Sequence, residues 1–143
     1  MTDAARRILL AILLLGVIGI AAELLLMGHD EDVYQGIPIA LAFATLLMSA
    51  VVVIRPAAGA IRLFQIVMVL MIVSGAVGVY LHFQVNIEFQ LEMDPALSGI
   101  SLYRKAILAK TPPALAPGAM TQLGLIGLAY TFRHPAFLPR VAG

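Results

Sequence analysis

The sequence predicts an all-α integral membrane protein: an antiparallel four-helix transmembrane bundle, N-in/C-in, with an extended third helix and a short interfacial helix on the outer side. Three observations carry that prediction. Of the 143 residues, 62% are hydrophobic and only 12% charged, whereas a soluble domain covers its core with a surface about one quarter charged. Four apolar stretches approach the roughly 20 helical residues that cross a hydrocarbon core. Those stretches are continuous in apolarity rather than alternating with period two, which excludes a β-barrel. The whole chain, 1–143, reads as a single transmembrane domain.

The first span covers 8–27 and follows Arg6-Arg7. Gly19-Ile20-Ala21 imitates a signal-peptide cleavage site, but the apolar run exceeds the usual h-region of about 7–15 residues, so a retained helix is expected. The second span covers 37–54, between the polar run Gly28-His29-Asp30-Glu31-Asp32 and the breaker Arg55-Pro56. The basic loop 55–62 is short, which makes spans two and three antiparallel neighbours. The third span covers 63–83, and with no breaker before Asp94 its helix should run past the membrane surface to about Met93. Within the outer segment 84–113, Asp94-Pro95 reads as an N-cap followed by proline at the first helical position. Ala96, Ile100, Tyr103 and Ile107 then recur at helical spacing, the pattern of a helix lying in the interface. Its Arg104 and Lys105 would reach lipid headgroup phosphates. The fourth span covers 115–132, its start set by Pro112, Pro113 and Pro117. The spans read as unbroken, without interior proline.

Orientation follows from the basic residues of the short loops. Arg6, Arg7, Arg55, Arg62, Arg133 and Arg140 share one side with the single acid Asp3. The other side holds Arg104, Lys105 and Lys110 among Asp30, Glu31, Asp32, Glu88, Glu92 and Asp94. Both termini are therefore expected in the cytoplasm. The preference for arginine over lysine points to a GC-rich bacterial genome and so to a bacterial cytoplasmic (inner) membrane.

The same composition excludes whole classes of chemistry. Without cysteine there are no disulfides, thiolate metal sites or thiol catalysis, and without a basic face there is no nucleic-acid partner. No serine stands in a glycine elbow with a base and an orienting acid, and there is no HExxH motif or phosphate-binding glycine loop. The span hydroxyls, including Thr45 and Ser49 four residues apart, read as helix-packing groups. An enzyme acting on lipid ranks last.

Polar residues at membrane depth are the remaining pointers. Glu23 shares a face with Gly16 and Gly19, while Gly75, Gly78 and His82 repeat that arrangement on the third span. Gly124 and Gly127 add a close-approach site on the fourth, where Gln122 also faces a partner helix. Small residues let helix backbones approach, so these glycines mark packing seams. Counted from the inner arginines, Glu23 and His82 differ in height by roughly one helical turn, which suggests that they meet. Glu23, His82, Glu88 and Glu92, with His29, Asp30, Glu31 and Asp32 nearby, are candidate ligands for a divalent cation. The structural reading, a solvated acidic collar and a Glu–His bond that fixes register, is favoured over that site. Haem ligation fails for want of two histidines at matching depth.

Two functions follow. The preferred one is an accessory or scaffold subunit of a membrane complex, without a cofactor, whose partners are the bilayer and other membrane chains or further copies of itself. The second is a cation- or small-solute-binding transport protein using the outer acidic site around Glu23 and His82.

Overall fold

A computed structural model describes residues 1–28, 33–110 and 114–137. His29, Asp30, Glu31, Asp32, Pro112, Pro113 and Arg140 lie outside the described residues. The described chain is all-helical, with no strand: α1 (Asp3–Leu26), α2 (Val33–Ile54), α3 (Ala58–Met93), α4 (Gly99–Ile107) and α5 (Leu115–Thr131), closed by a 3-10 turn at Pro135–Phe137. Three of these helices, α1, α2 and α3, are long and apolar enough to cross a membrane. Each buries only 22–28% of its apolar window within the chain, so most of the apolar surface faces outward. That distribution is costly in water and natural in lipid.

α1 starts five residues before the apolar run because Thr2 caps it. The Thr2 hydroxyl accepts the Ala5 N–H at 3.2 Å, satisfying a donor that a helix start leaves free. α2 begins at Val33 and so contains Pro38, which corrects the expectation of proline-free spans. The ring sits in the second turn, where its missing N–H removes one early helix bond.

α3 is a single helix of 36 residues, roughly 54 Å long and therefore longer than a hydrocarbon core of about 30 Å. It ends where the sequence indicates, but Asp94 does not begin the next helix. Its carboxylate accepts the Ala96 N–H at 3.2 Å and its carbonyl accepts Leu97 N–H, which closes a turn around Pro95. α4 starts only after Ser98 and is nine residues long. A local side-chain bond to the backbone two residues on competes with helix initiation, and here it wins.

The packing forms a closed ring. α1 lies against α2 and α5, and α3 lies against α2 and α5, so α1 and α3 stand diagonally opposite. The core is built from Leu13 and Val17 of α1, Val52 of α2, and Phe64, Met68 and Met71 of α3, all essentially inaccessible. α5 is the shortest of the four and buries seven of its residues, including Pro117, Leu123, Gly124 and Gly127. Its glycines explain how: a Cβ added at Gly124 would stand 2.7 Å from the Met68 carbonyl oxygen, and one at Gly127 would strike the Met68 side chain. α3 answers with Gly75 against Pro117 and Thr121, and Gly78 against the Pro117 ring. Close backbone approach of this kind drives helix association where lipid offers no hydrophobic gain.

Candidate functional site

Two polar regions stand out from the apolar bundle. The first joins the chain ends. Arg6 is only 8% exposed, and its guanidinium donates to the carbonyl oxygens of Met1 at 3.3 Å, Phe132 at 3.4 Å and Arg133 at 2.7 Å. It also stands 3.6 Å from the Asp3 carboxylate, while its buried Nε has no partner among the described residues. Two of these carbonyls, those of Phe132 and Arg133, lie at the end of α5, where helix carbonyls lack partners. Arg133 adopts a left-handed backbone with φ of 50°, the conformation that ends many helices and that glycine takes at least cost.

Beside this cap His134 is buried, its Nδ1 accepting the Ala136 N–H at 3.2 Å, and its ring leans on Tyr130. Tyr130 in turn meets Phe64 edge to face. Burial pushes the His134 imidazole below the ordinary histidine value of 6.5, and the Arg6 charge pushes it the same way. Arg62 lies 6.0 Å from the Phe137 ring centre. The chain start, the start of α3 and the end of α5 thus gather at one end of the bundle with Arg6, Arg62 and Arg133. The signal that could have found the cap was Arg6 standing one turn inside a helix that opens with Thr2-Asp3.

The second region contains the sequence-derived candidates, and the structure separates them. Glu23 is exposed and lines an open groove between α1 and α5 with Gly16, Ile20, Ala119 and Gln122. His82 is exposed on α3, diagonally across the ring, so Glu23 and His82 do not meet. Glu88 and Glu92 are exposed one turn apart on the outer part of α3. Among the described residues no three His, Asp or Glu side chains converge as a metal site.

The glycine seams also face differently from the expected direct contact of spans one and three. Gly16 of α1 accommodates Leu123 of α5, and the α3 glycines accommodate α5 from the other side. α5 is inserted between the two glycine-bearing faces. Gly19 is the exception: a Cβ there would meet nothing within 4 Å. Thr45 is buried toward α3, donating to the Leu41 carbonyl at 2.8 Å and lying 3.0 Å from Met71 Sδ. Ser49 is buried beside it without a hydrogen-bond partner among the described residues. Across α3 and α5, Gln65 Nε2 donates to Thr131 Oγ1 at 3.0 Å.

Beyond the bundle, α4 folds back on the outer part of α3. Asn86 Nδ2 donates to the Ala106 carbonyl at 3.1 Å, and the Phe83 and Tyr103 rings stack with centres 6.1 Å apart. Ala106 is buried in this contact, while Ile100, Tyr103 and Ile107 remain exposed. Arg104 and Lys105, with Lys110, Gln90 and Ser101, line an open groove between the two helices. Comparison with known protein families, characterised proteins and solved structures finds no match to this chain.

Proposed function

We propose that the chain is a four-span protein of a bacterial inner membrane, with both termini in the cytoplasm, that serves as an accessory or scaffold subunit of a membrane complex. α5 supplies the fourth span. Its 17 residues rise roughly 26 Å, at the short end of what crosses a hydrocarbon core, and it packs between α1 and α3 at their depth. The orientation is supported by the arginines that collect where the chain start and the end of α5 meet.

The observation that carries the scaffold role is the arm. α3 outruns the bilayer, and α4 is latched to its end by Asn86 and the Phe83–Tyr103 stack. The arm therefore holds Val85, Phe89, Met93, Ile100 and Ile107 exposed on a fixed frame. Apolar side chains presented on a rigid support form a surface for another protein. Arg104 and Lys105 line the groove between α3 and α4 with Gln90, where they hold lipid phosphates and keep the arm at a set height.

Native co-purification tests this role. The parental chain should bring down a second polypeptide, and replacing Phe89 and Met93 with serine should release it without loss of the bundle. Recovery of a lone monomer from gentle detergent overturns the role. Because the chain has no cysteine, single cysteines test the orientation: Gly59→Cys should be protected from an impermeant maleimide in intact cells and Ser101→Cys labelled.

A further inference from the structure

We propose that the groove between α1 and α5 is the contact face of a two-fold homodimer, in which the Gln122 amide of one copy donates to the Glu23 carboxyl group of the other. The inference rests on the membrane-embedded reading above and goes beyond it by naming the occupant of this face.

Glu23 and Gln122 are both exposed and both line this groove, of about 420 Å³, whose other walls are apolar, with Ile12, Leu15 and Ile126 among them. Neither side chain has a hydrogen-bond or ion-pair partner among the described residues. On a surface in water such groups are satisfied by solvent. On a helix face at membrane depth they are turned toward hydrocarbon, where an acid and an amide without partners are costly. A partner that covers the groove and supplies complementary polar groups removes that cost.

The groove itself identifies the partner. It carries an acceptor, the Glu23 carboxyl group, and a donor, the Gln122 amide, on two adjacent helices. In a two-fold contact every residue pair occurs twice, so the acceptor of each copy meets the donor of the other. A second copy thus completes two hydrogen bonds with groups already present on the surface. A foreign helix would have to bring its own matched pair.

The glycines support the same face. Within α1 and α5, Gly16, Gly124 and Gly127 are filled by neighbours inside the bundle. Gly19 and Gly118 have nothing within 4 Å of an added Cβ. Each stands one turn before a member of the polar pair, Gly19 before Glu23 and Gly118 before Gln122. The bundle leaves unused the two small notches beside Glu23 and Gln122, as a close helix–helix contact from outside requires.

The test uses the full chain in liposomes, carrying Ser101→Cys as the sole thiol and labelled with donor or acceptor dyes. Energy transfer above random proximity should appear at high protein-to-lipid ratio and vanish on dilution with lipid. Glu23→Leu or Gln122→Leu should move the midpoint about tenfold toward higher protein, as expected for the loss of two interhelical hydrogen bonds. The exchange Glu23→Gln with Gln122→Glu should restore the parental midpoint. A monomer at all ratios, or leucine variants that associate as tightly as the parent, overturns the dimer. So does a Leu15→Cys cross-link in native membranes that captures a different polypeptide in place of a second copy. Flotation with the vesicles separates the two levels: a chain that floats but stays monomeric overturns the dimer alone, and one that does not float overturns the membrane reading with it. Both leucine substitutions lie on an exposed face, and an unchanged melting temperature shows that the fold is retained.

Discussion

Arg6 and Arg133 are separated by 127 positions in the chain, yet the guanidinium of the first donates to the main-chain carbonyl of the second at 2.7 Å. This bond fastens the first turn of α1 to the end of α5 and closes the helical ring at one end. Replacing Arg6 with methionine keeps the buried stem and removes the donors. The two α5-end carbonyls then lose a charged cap, and the expected cost is about 1–3 kcal/mol. Arg6→Lys should recover part of it, since a single ammonium cannot span the same set of carbonyls. Unfolding by denaturing detergent, followed by circular dichroism, measures the difference.

The backbone of Arg133 points to a substitution that stabilises. A left-handed residue other than glycine carries a penalty of about 1–2 kcal/mol, and its side chain is exposed. Arg133→Gly should therefore raise the melting temperature while leaving the Arg6 bond in place, because that bond uses only the carbonyl of residue 133. An unchanged or lower melting temperature would show that the exposed Arg133 side chain contributes more than the backbone strain.

Close approach at α5 gives the largest mechanical effect. Gly124→Ala places a methyl group against the Met68 carbonyl, which is backbone and cannot move aside, so about 1–3 kcal/mol of stability should be lost. Gly36→Ala serves as the comparison, since its Cβ enters open space and helix propensity alone should favour it slightly. Both can be read in one detergent-unfolding series.

Stability should also depend on pH through His134. Its folded-state pKa lies below the ordinary 6.5, so the unfolded chain takes up the proton first as the medium is acidified. The His134 contribution is complete above about pH 6.5 and is lost progressively below it, levelling once the folded imidazole is itself protonated. His134→Gln should flatten that part of the profile, which melting curves between pH 8 and pH 5 would reveal.

The Gln65–Thr131 bond joins α3 to α5 near the Arg6 cap. Gln65→Leu and Thr131→Val should each destabilise, and the double mutant by less than their sum. A coupling of about 0.6 kcal/mol is typical for such bonds between membrane helices. Strict additivity would show that the 3.0 Å contact contributes nothing in solution.

The helical class, the long apolar helices and the continuation of α3 to Met93 follow from runs and breakers, which are local properties. Asp94-Pro95 was misleading because the same dipeptide can cap a helix or close an Asx turn, and the choice depends on geometry beyond it. Glu23 stands out in the sequence as an acid within an apolar run, but the residues beside it in the groove do not. Height along a helix can be counted from the sequence, whereas the order of helices around a bundle depends on which faces interlock. That order hinged on Gly75, Gly78, Gly124 and Gly127, whose spacing marked seams without naming the opposing surface. The Arg6 cap was hidden for a different reason: a terminal arginine has a sufficient role in topology, and nothing local signals a second one.

The helix that completes the core follows the three it packs among in the order of synthesis. Until α5 emerges, Gly16 and Gly75 face an empty slot, and Arg6 has no distant carbonyls to bind. α1, α2 and α3 must therefore wait side by side with their seams open while the rest of the chain is synthesised. During that interval something other than the finished protein has to occupy the slot, whether lipid or the insertion machinery. A nascent chain stopped before Leu115 should accordingly be degraded, so quality control of this protein turns on the arrival of α5.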